Sequence, residues 1–323
     1  QEDVISIGLD NKTIIGVVET AIVSHGNKQI EMPPKPGIHP RPSSFIHAMP
    51  VWVKDQDICG IKWVSGYPEN YKHDLPHIAG LQIMNDAETG MPTCVMDCRW
   101  ITAVRTAAVS AITAKYCACK NPKILTILGA GVQGRFNAIM LKEVVPSLEK
   151  IYVFDKFEEA MLSYINDISK LIEVKAEKVP SIEHLEKAVR LSDIVLTAGI
   201  ETPIIHFDWL KEGVLGMGLE AGRAWYGDVI TGVDKIITDD IGQTTYWYEN
   251  IKGAFHAKPQ IYGELGEIVT GQKKGREFES EKILAINIGM AVEDIVLGQK
   301  VFEEAEKKGI GTILPLMEQS RLI

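Results

Sequence analysis

The turn Gly129-Ala130-Gly131-Val132-Gln133-Gly134 constrains this chain more than any other feature. It follows the apolar run Lys123 to Leu128, opens a helical pattern reaching about Val145, and precedes Ile151-Tyr-Val-Phe, which ends at Asp155. A bare GxGxxG recurs by chance, but strand, turn, helix and strand in this order make a βαβ unit. In such a unit the first glycine permits the tight turn, the second lets a pyrophosphate approach the backbone, and the third lets helix and strand pack. The helix N-terminus favours the phosphate charge. Asp155 stands 21 residues after Gly134, where a ribose-binding acid belongs. A carboxylate there accepts hydrogen bonds from both ribose hydroxyls and repels a 2′-phosphate, which predicts NAD over NADP. The competing reading is a glycine turn without ligand.

Further strands are expected at Val174 to Val179, Ile194 to Thr197, Val214 to Met217 and Lys235 to Thr238, with helical segments such as Ser181 to Leu191 between them. The alternation predicts a parallel sheet. Upstream, a helix is expected around Thr13 to Ser24, then the proline-rich stretch Met32 to Pro42, an ordered loop or arm. Ile58 to Val64 alternates as a strand, with Lys62 on the same face as Ile58 and Val64. Leu81 to Met84 and Pro92 to Met96 flank a turn composition and read as a hairpin. Trp100 to Cys119, free of proline and glycine, reads as one long helix. The fold class is therefore α/β, a Rossmann-type dinucleotide-binding domain at 120–287 and an α+β domain at 1–119. The amphipathic tail from Ile288 is expected to return to the latter, giving 1–119 with 288–323.

With 323 residues, 46% of them hydrophobic, two cores can be built; a net charge of -9 argues against nucleic acid and anionic membranes as partners. The longest apolar runs are too short to span a bilayer. The start Gln1-Glu2-Asp3 is acidic where a secretory leader needs a basic one, and Gln1 implies a start further upstream. Five cysteines at spacings that suit neither a disulfide framework nor a metal knuckle point to a reducing compartment, the cytoplasm, and to no metal.

Three charged residues stand out. Lys62 places an ammonium on an apolar strand, and Arg105 a guanidinium among the small residues of the long helix, so each needs an anion. Both are candidates for a substrate carboxylate, although a salt bridge would satisfy either. Glu220 ends the run Gly213 to Leu219, where ligands of doubly wound sheets collect, and suits a general base. His47 and His77 are weaker candidates, since single histidines are commonly structural.

Taken with Ala48-Met-Pro50, Gly60-Ile-Lys-Trp-Val64, Asn85-Asp-Ala-Glu-Thr-Gly90, Ile101 to Ala108, Gly263 to Gly271 and Ile288 to Asp294, these motifs resemble the ornithine cyclodeaminase / mu-crystallin family over nearly the whole chain. The resemblance implies a homodimer, a first domain that builds the dimer and covers the substrate, and carboxylate-binding roles for Lys62 and Arg105. It places Thr106, Val132 and Gln133 by the cofactor phosphates, and Thr197 and Asn287 complete the candidate cofactor contacts. Lys35, or Arg41 if the loop is realigned, stands where the family has a further arginine; Glu220 stands for its aspartate base and His47 for an acid that meets a distal amine. The implied mechanism is hydride removal from Cα of a small amino acid by NAD, giving an iminium. Closure by a distal amine yields cyclodeamination with ammonia release, as from ornithine to proline. Attack by water yields an amino-acid dehydrogenase, or in reverse an imine reductase. The alternative of another class is a mu-crystallin-like protein that binds cofactor and ligand without turnover.

Overall fold

The computed structural model describes residues 1–315, organised by two sheets. After α1 (Glu2–Ser6) and α2 (Asn11–Gly26), the chain builds an antiparallel sheet from β1 (Ile30–Glu31), β2 (Gly37–Ile38), β3 (Phe45–Val53), β4 (Ile58–Gly66), β5 (Ile78–Asn85) and β6 (Pro92–Asp97). The order is β1-β3-β4-β5-β6, with β2 also on β3. The sequence reading leaves β3 unassigned, and the strand carries Pro50 near its middle. Its proline is tolerated because β1 pairs with Trp52 and Val53 and β2 with Ile46 and His47, so Pro50 falls in the gap between these two partners. β4 follows its alternation: Lys62 and Val64 face inward while Trp63 faces out. Helix α3 (Arg99–Cys117) is buried along most of its length, since its alanines let α2 and α4 (Val132–Val144) approach closely.

The second sheet is wholly parallel. Around α4 and α5 (Glu158–Leu171) run β7 (Ile124–Leu128), β8 (Lys150–Phe154) and β9 (Lys175–Lys178), and α6 (Ile182–Leu191) leads to β10 (Ile194–Thr197) and β11 (Leu215–Gly218). Next come α7 (Gly227–Gly232), β12 (Lys235–Thr238), α8 (Ile241–Asn250), β13 (Ile261–Glu264), α9 (Leu265–Val269) and β14 (Ile283–Ile286). The order is β13-β12-β14-β11-β10-β7-β8-β9, so the direction of winding reverses between β7 and β10. Ligands of open α/β sheets bind outside the strand ends at such a reversal. The sequence reading lacks β13 and β14; the latter is four apolar residues inserted between β11 and β12, with no period to mark it.

From β14 the chain enters α10 (Ala291–Lys308), which packs against α2, α3 and strands β3 to β5 of the first sheet. Residues 316–323, the end of the segment expected in the first domain, lie outside the described residues. Among the described residues no helix is long and apolar enough to cross a membrane.

Candidate active site

The glycine turn sits at the reversal point. Gly129 has φ +112°, and a Cβ there would lie 2.0 Å from the Ala198 carbonyl oxygen; one on Gly134 would lie 2.1 Å from the Gly129 carbonyl oxygen. A Cβ on Gly131 would meet nothing within 4 Å, and no side chain caps α4. The turn thus leaves an open approach to uncapped amides at a helix N-terminus, a cradle that fits a pyrophosphate. Asp155, just past β8, accepts from the Ala130 amide at 2.8 Å and from the Phe157 amide at 3.0 Å, which fixes its carboxylate beside the turn with lone pairs to spare. Val132 is exposed at the start of α4, and the Gln133 side chain accepts from Asn137 at 3.2 Å.

Lys62 and Arg105 meet, as spacing alone does not reveal. The buried Lys62 ammonium donates to Asp294 Oδ1 at 2.9 Å, and Arg105 Nε donates to the same oxygen at 3.0 Å. Arg105 also donates to Glu293 Oε2 at 2.8 Å. Burial pushes the Lys62 ammonium below its ordinary range against the pull of Asp294. For Arg105 burial acts downward too, but Asp294 and Glu293 outweigh it and the net shift is upward. Glu293 and Asp294 belong to the first turn of α10, and neither receives a role in the sequence reading. Their signal is the one that singles out Lys62: charges inside an otherwise apolar run. Each keeps one buried oxygen without a partner, as does the amide oxygen of Asn287.

Lys35 joins the cluster from the proline-rich loop, donating to the carbonyls of Ile288 and Gly289 at 3.0 Å each, with its ammonium 5.5 Å above the Trp247 ring. Burial, reinforced by Arg105 and Lys62, lowers it to about 8 despite Asp239. Gly289 is the hub: its amide donates to buried Asp239, its carbonyl accepts from Lys35, and a Cβ on it would lie 2.6 Å from Arg105 Nη1. With φ +90° it is glycine for both reasons.

At the end of β11, Glu220 accepts from the Thr197 hydroxyl at 2.6 Å through one oxygen, while its other oxygen is buried without a partner. Burial raises its carboxyl to about 7; the Thr197 hydroxyl and the amides of Ala224 and Glu220 work against that rise. A carboxylate poised near neutrality with a free oxygen can take up or release a proton.

The remaining candidates divide. His47 is buried on β3, stacked on Phe45 with centroids 4.3 Å apart and edge-on to Trp247. Burial, then Lys35, His39 and Lys62, push it down to about 4, so it is neutral at physiological pH. Arg41 is exposed and donates to the Pro40 carbonyl, away from the cluster that Lys35 joins. His77 is exposed. Thr106 is half-buried and donates to Thr102 one turn back; Asn287 donates to Thr113 of α3 at 3.1 Å. Thr197 is fully buried beneath Glu220, where its hydroxyl is committed to that carboxylate. The five cysteines are free thiols. His25, Asp240 and Glu264 converge, but Lys28 already pairs with Glu264 at 2.8 Å and His25 Nε2 with Asp240 at 3.2 Å.

A parallel sheet with a glycine turn at its reversal point defines an α/β protein of the dinucleotide-binding kind. The chain belongs to the ornithine cyclodeaminase/mu-crystallin family, whose model matches residues 2–309. It is 35% identical over 316 residues to the nodulation efficiency protein NfeD of Rhizobium meliloti, covering 97% of both chains. It is 31% identical over 327 residues to the N-((2S)-2-amino-2-carboxyethyl)-L-glutamate dehydrogenase of Staphylococcus aureus, covering 96% of this chain and 95% of the relative. Among solved structures it resembles the Delta(1)-pyrroline-2-carboxylate reductase of Thermococcus litoralis in complex with NADH and L-proline, at 30% identity and TM-score 0.86, covering 97% and 98% of the two chains. An archaeal alanine dehydrogenase dimer with bound NAD is similar at 26% identity and TM-score 0.87, over 98% of each chain.

Proposed function

We propose that this chain is an NAD-dependent oxidoreductase acting at the Cα–N bond of a small L-amino acid or the corresponding imine. The observation that carries the reading is the cluster of half-buried Lys35 with buried Lys62 and Arg105 on one side and, on the strand ends of the parallel sheet, a carboxylate raised to about 7. The cations take the substrate carboxylate. Glu220, ionised, accepts a proton from the substrate amine, which frees the nitrogen lone pair to form the C=N bond; protonated, it returns that proton in the reverse direction. Gly129, Gly131, Val132, Gln133 and Gly134 would hold NAD, with Asp155 for its ribose, and the bound cofactor would supply the hydride acceptor for Cα.

Between the possible outcomes, His47 favours dehydrogenation or imine reduction over cyclodeamination. A distal ammonium needs an acid, and at the position where the resemblance places one this chain has His47, which burial and Lys35 push down to about 4 and so hold neutral. The test is a panel of L-amino acids with NAD, and of cyclic and linear imines with NADH, following NADH absorbance and ammonia separately. Matching NADH and ammonia support a dehydrogenase, NADH consumption by imines a reductase. Ammonia without net NADH restores cyclodeamination, and tight cofactor binding with no turnover supports the mu-crystallin-like alternative.

Asp155→Ala removes a charged acceptor, an interaction worth about 1.5–3 kcal/mol, so the NAD dissociation constant is expected to rise about ten- to a hundredfold by fluorescence titration. An unchanged constant refutes the ribose assignment.

We also infer a homodimer through the outer face of the first sheet. Trp52, Trp63, Leu81 and Val95 are 40–58% exposed there, with Trp63 directly opposite Leu81, and a contiguous apolar face of this kind calls for a partner. The alanine dehydrogenase dimer lends support. Light scattering is expected to give twice 35.7 kDa for the native chain and the monomer mass for Trp63→Lys with Leu81→Lys.

A further inference from the structure

We propose that Thr197 and Trp225 are positioning residues for Glu220, a relay in which the indole N–H orients the threonine hydroxyl and the hydroxyl holds one carboxylate oxygen, leaving the other to handle the proton. The inference rests on the acid–base role given to Glu220 above.

Trp225 Nε1 donates to Thr197 Oγ1 at 3.0 Å, and Thr197 Oγ1 donates to Glu220 Oε1 at 2.6 Å. Both Thr197 and Trp225 are wholly buried, so no water substitutes for either bond. The direction of the relay follows from the groups. An indole nitrogen only donates, an ionised carboxylate only accepts, and a hydroxyl has one hydrogen. With the Trp225 hydrogen on its oxygen, Thr197 sends its own hydrogen to Glu220; its other acceptor, the Met217 carbonyl, is longer at 3.4 Å. The arrangement therefore favours the ionised carboxylate, and the Thr197 hydroxyl is the strongest influence opposing the upward push of burial on Glu220.

The seat of the indole is built for it. A Cβ on Gly216 would lie 2.7 Å from the Trp225 ring, and one on Gly218 would lie 3.0 Å from its Nε1. The strand Leu215-Gly-Met-Gly218 thus gives up both side chains that would block the ring from lying across it. Phenylalanine keeps a flat ring in this seat but loses the far edge of the indole and the N–H, so Trp225→Phe removes the bond to Thr197 at the cost of some packing.

The test is a carboxyl-carbon NMR titration of the full chain labelled at glutamate Cδ, with the Glu220 resonance assigned by its loss in Glu220→Gln. This readout needs no substrate. The wild-type midpoint is expected near 7, as burial dictates. Thr197→Val is expected to raise it by about one pH unit, Trp225→Phe by less, and Thr197→Ser to restore it, since only the hydroxyl matters. A midpoint unmoved in Thr197→Val, or moved equally in Thr197→Ser, overturns the relay. Turnover of Glu220→Gln separates the two claims: wild-type rates in that variant refute the acid–base reading and the relay's purpose with it. Loss of rate with an unmoved Thr197→Val midpoint refutes the relay alone.

Discussion

Glu220→Gln is expected to lower kcat for amino-acid oxidation by about 10²- to 10⁴-fold, the range for removing a general base, while the NAD dissociation constant stays within about threefold. The pH profile carries the sharper signature. Glu220 accepts a proton only when ionised, and burial raises its carboxyl to about 7, so the oxidative kcat/KM falls as pH drops through that value. Lys35, lowered to about 8 by burial and its cationic neighbours, can serve in its proposed role as a carboxylate ligand only when protonated, so kcat/KM is expected to fall again as pH rises through that value. The expected curve is a narrow bell between the two limbs. Glu293, raised to about 7 by burial, titrates in the same range, so the acid limb is assigned by its disappearance in Glu220→Gln. His47, at about 4, adds no limb at physiological pH. An acid limb that survives in Glu220→Gln assigns it to another group and removes Glu220 from the mechanism.

Lys62→Met is expected to damage binding and stability together. Lys62 and Asp294 are 1% and 0% exposed, and stripping one partner from a buried pair leaves a charge that water cannot reach. The general cost is about 3–5 kcal/mol, and the lower end applies because Arg105 keeps its bond to Asp294. Denaturant titration reads this directly, and the KM for the amino acid rises at least tenfold as one carboxylate ligand is lost. A variant of wild-type stability contradicts the buried pairing, and one with unchanged KM contradicts the substrate role of Lys62.

The contrast between what the sequence displays and what it conceals follows from the range of each interaction. The glycine turn and Asp155 are legible because they form one local unit, and β10 to β12 because each is a short apolar run between polar segments. β3 is hidden by Pro50, which only the gap between β1 and β2 makes acceptable. Lys62 and Arg105 announce themselves as charges in apolar surroundings, but their shared partner Asp294 lies 232 and 189 residues away, beyond any pattern of spacing. Thr197 reads as a cofactor contact at a strand end; its hydrogen bond to Glu220 crosses from one strand to the next and emerges only from the parallel pairing of β10 with β11. The sequence offers Lys35, or Arg41 if the loop is realigned, and the fold of the loop directs Lys35 onto the Gly289 hub.

The central claim is that hydride passes between Cα of an amino acid and the cofactor on the glycine turn. It is tested most directly with the amino acid that turns over fastest with NAD, supplied with deuterium at Cα, and with mass spectrometry of the products. The account predicts deuterium at the nicotinamide C4 of the NADH formed, or retained at Cα of a cyclised product, with a primary isotope effect on kcat/KM. Deuterium released into water, with none on the cofactor or at Cα of the product, contradicts it.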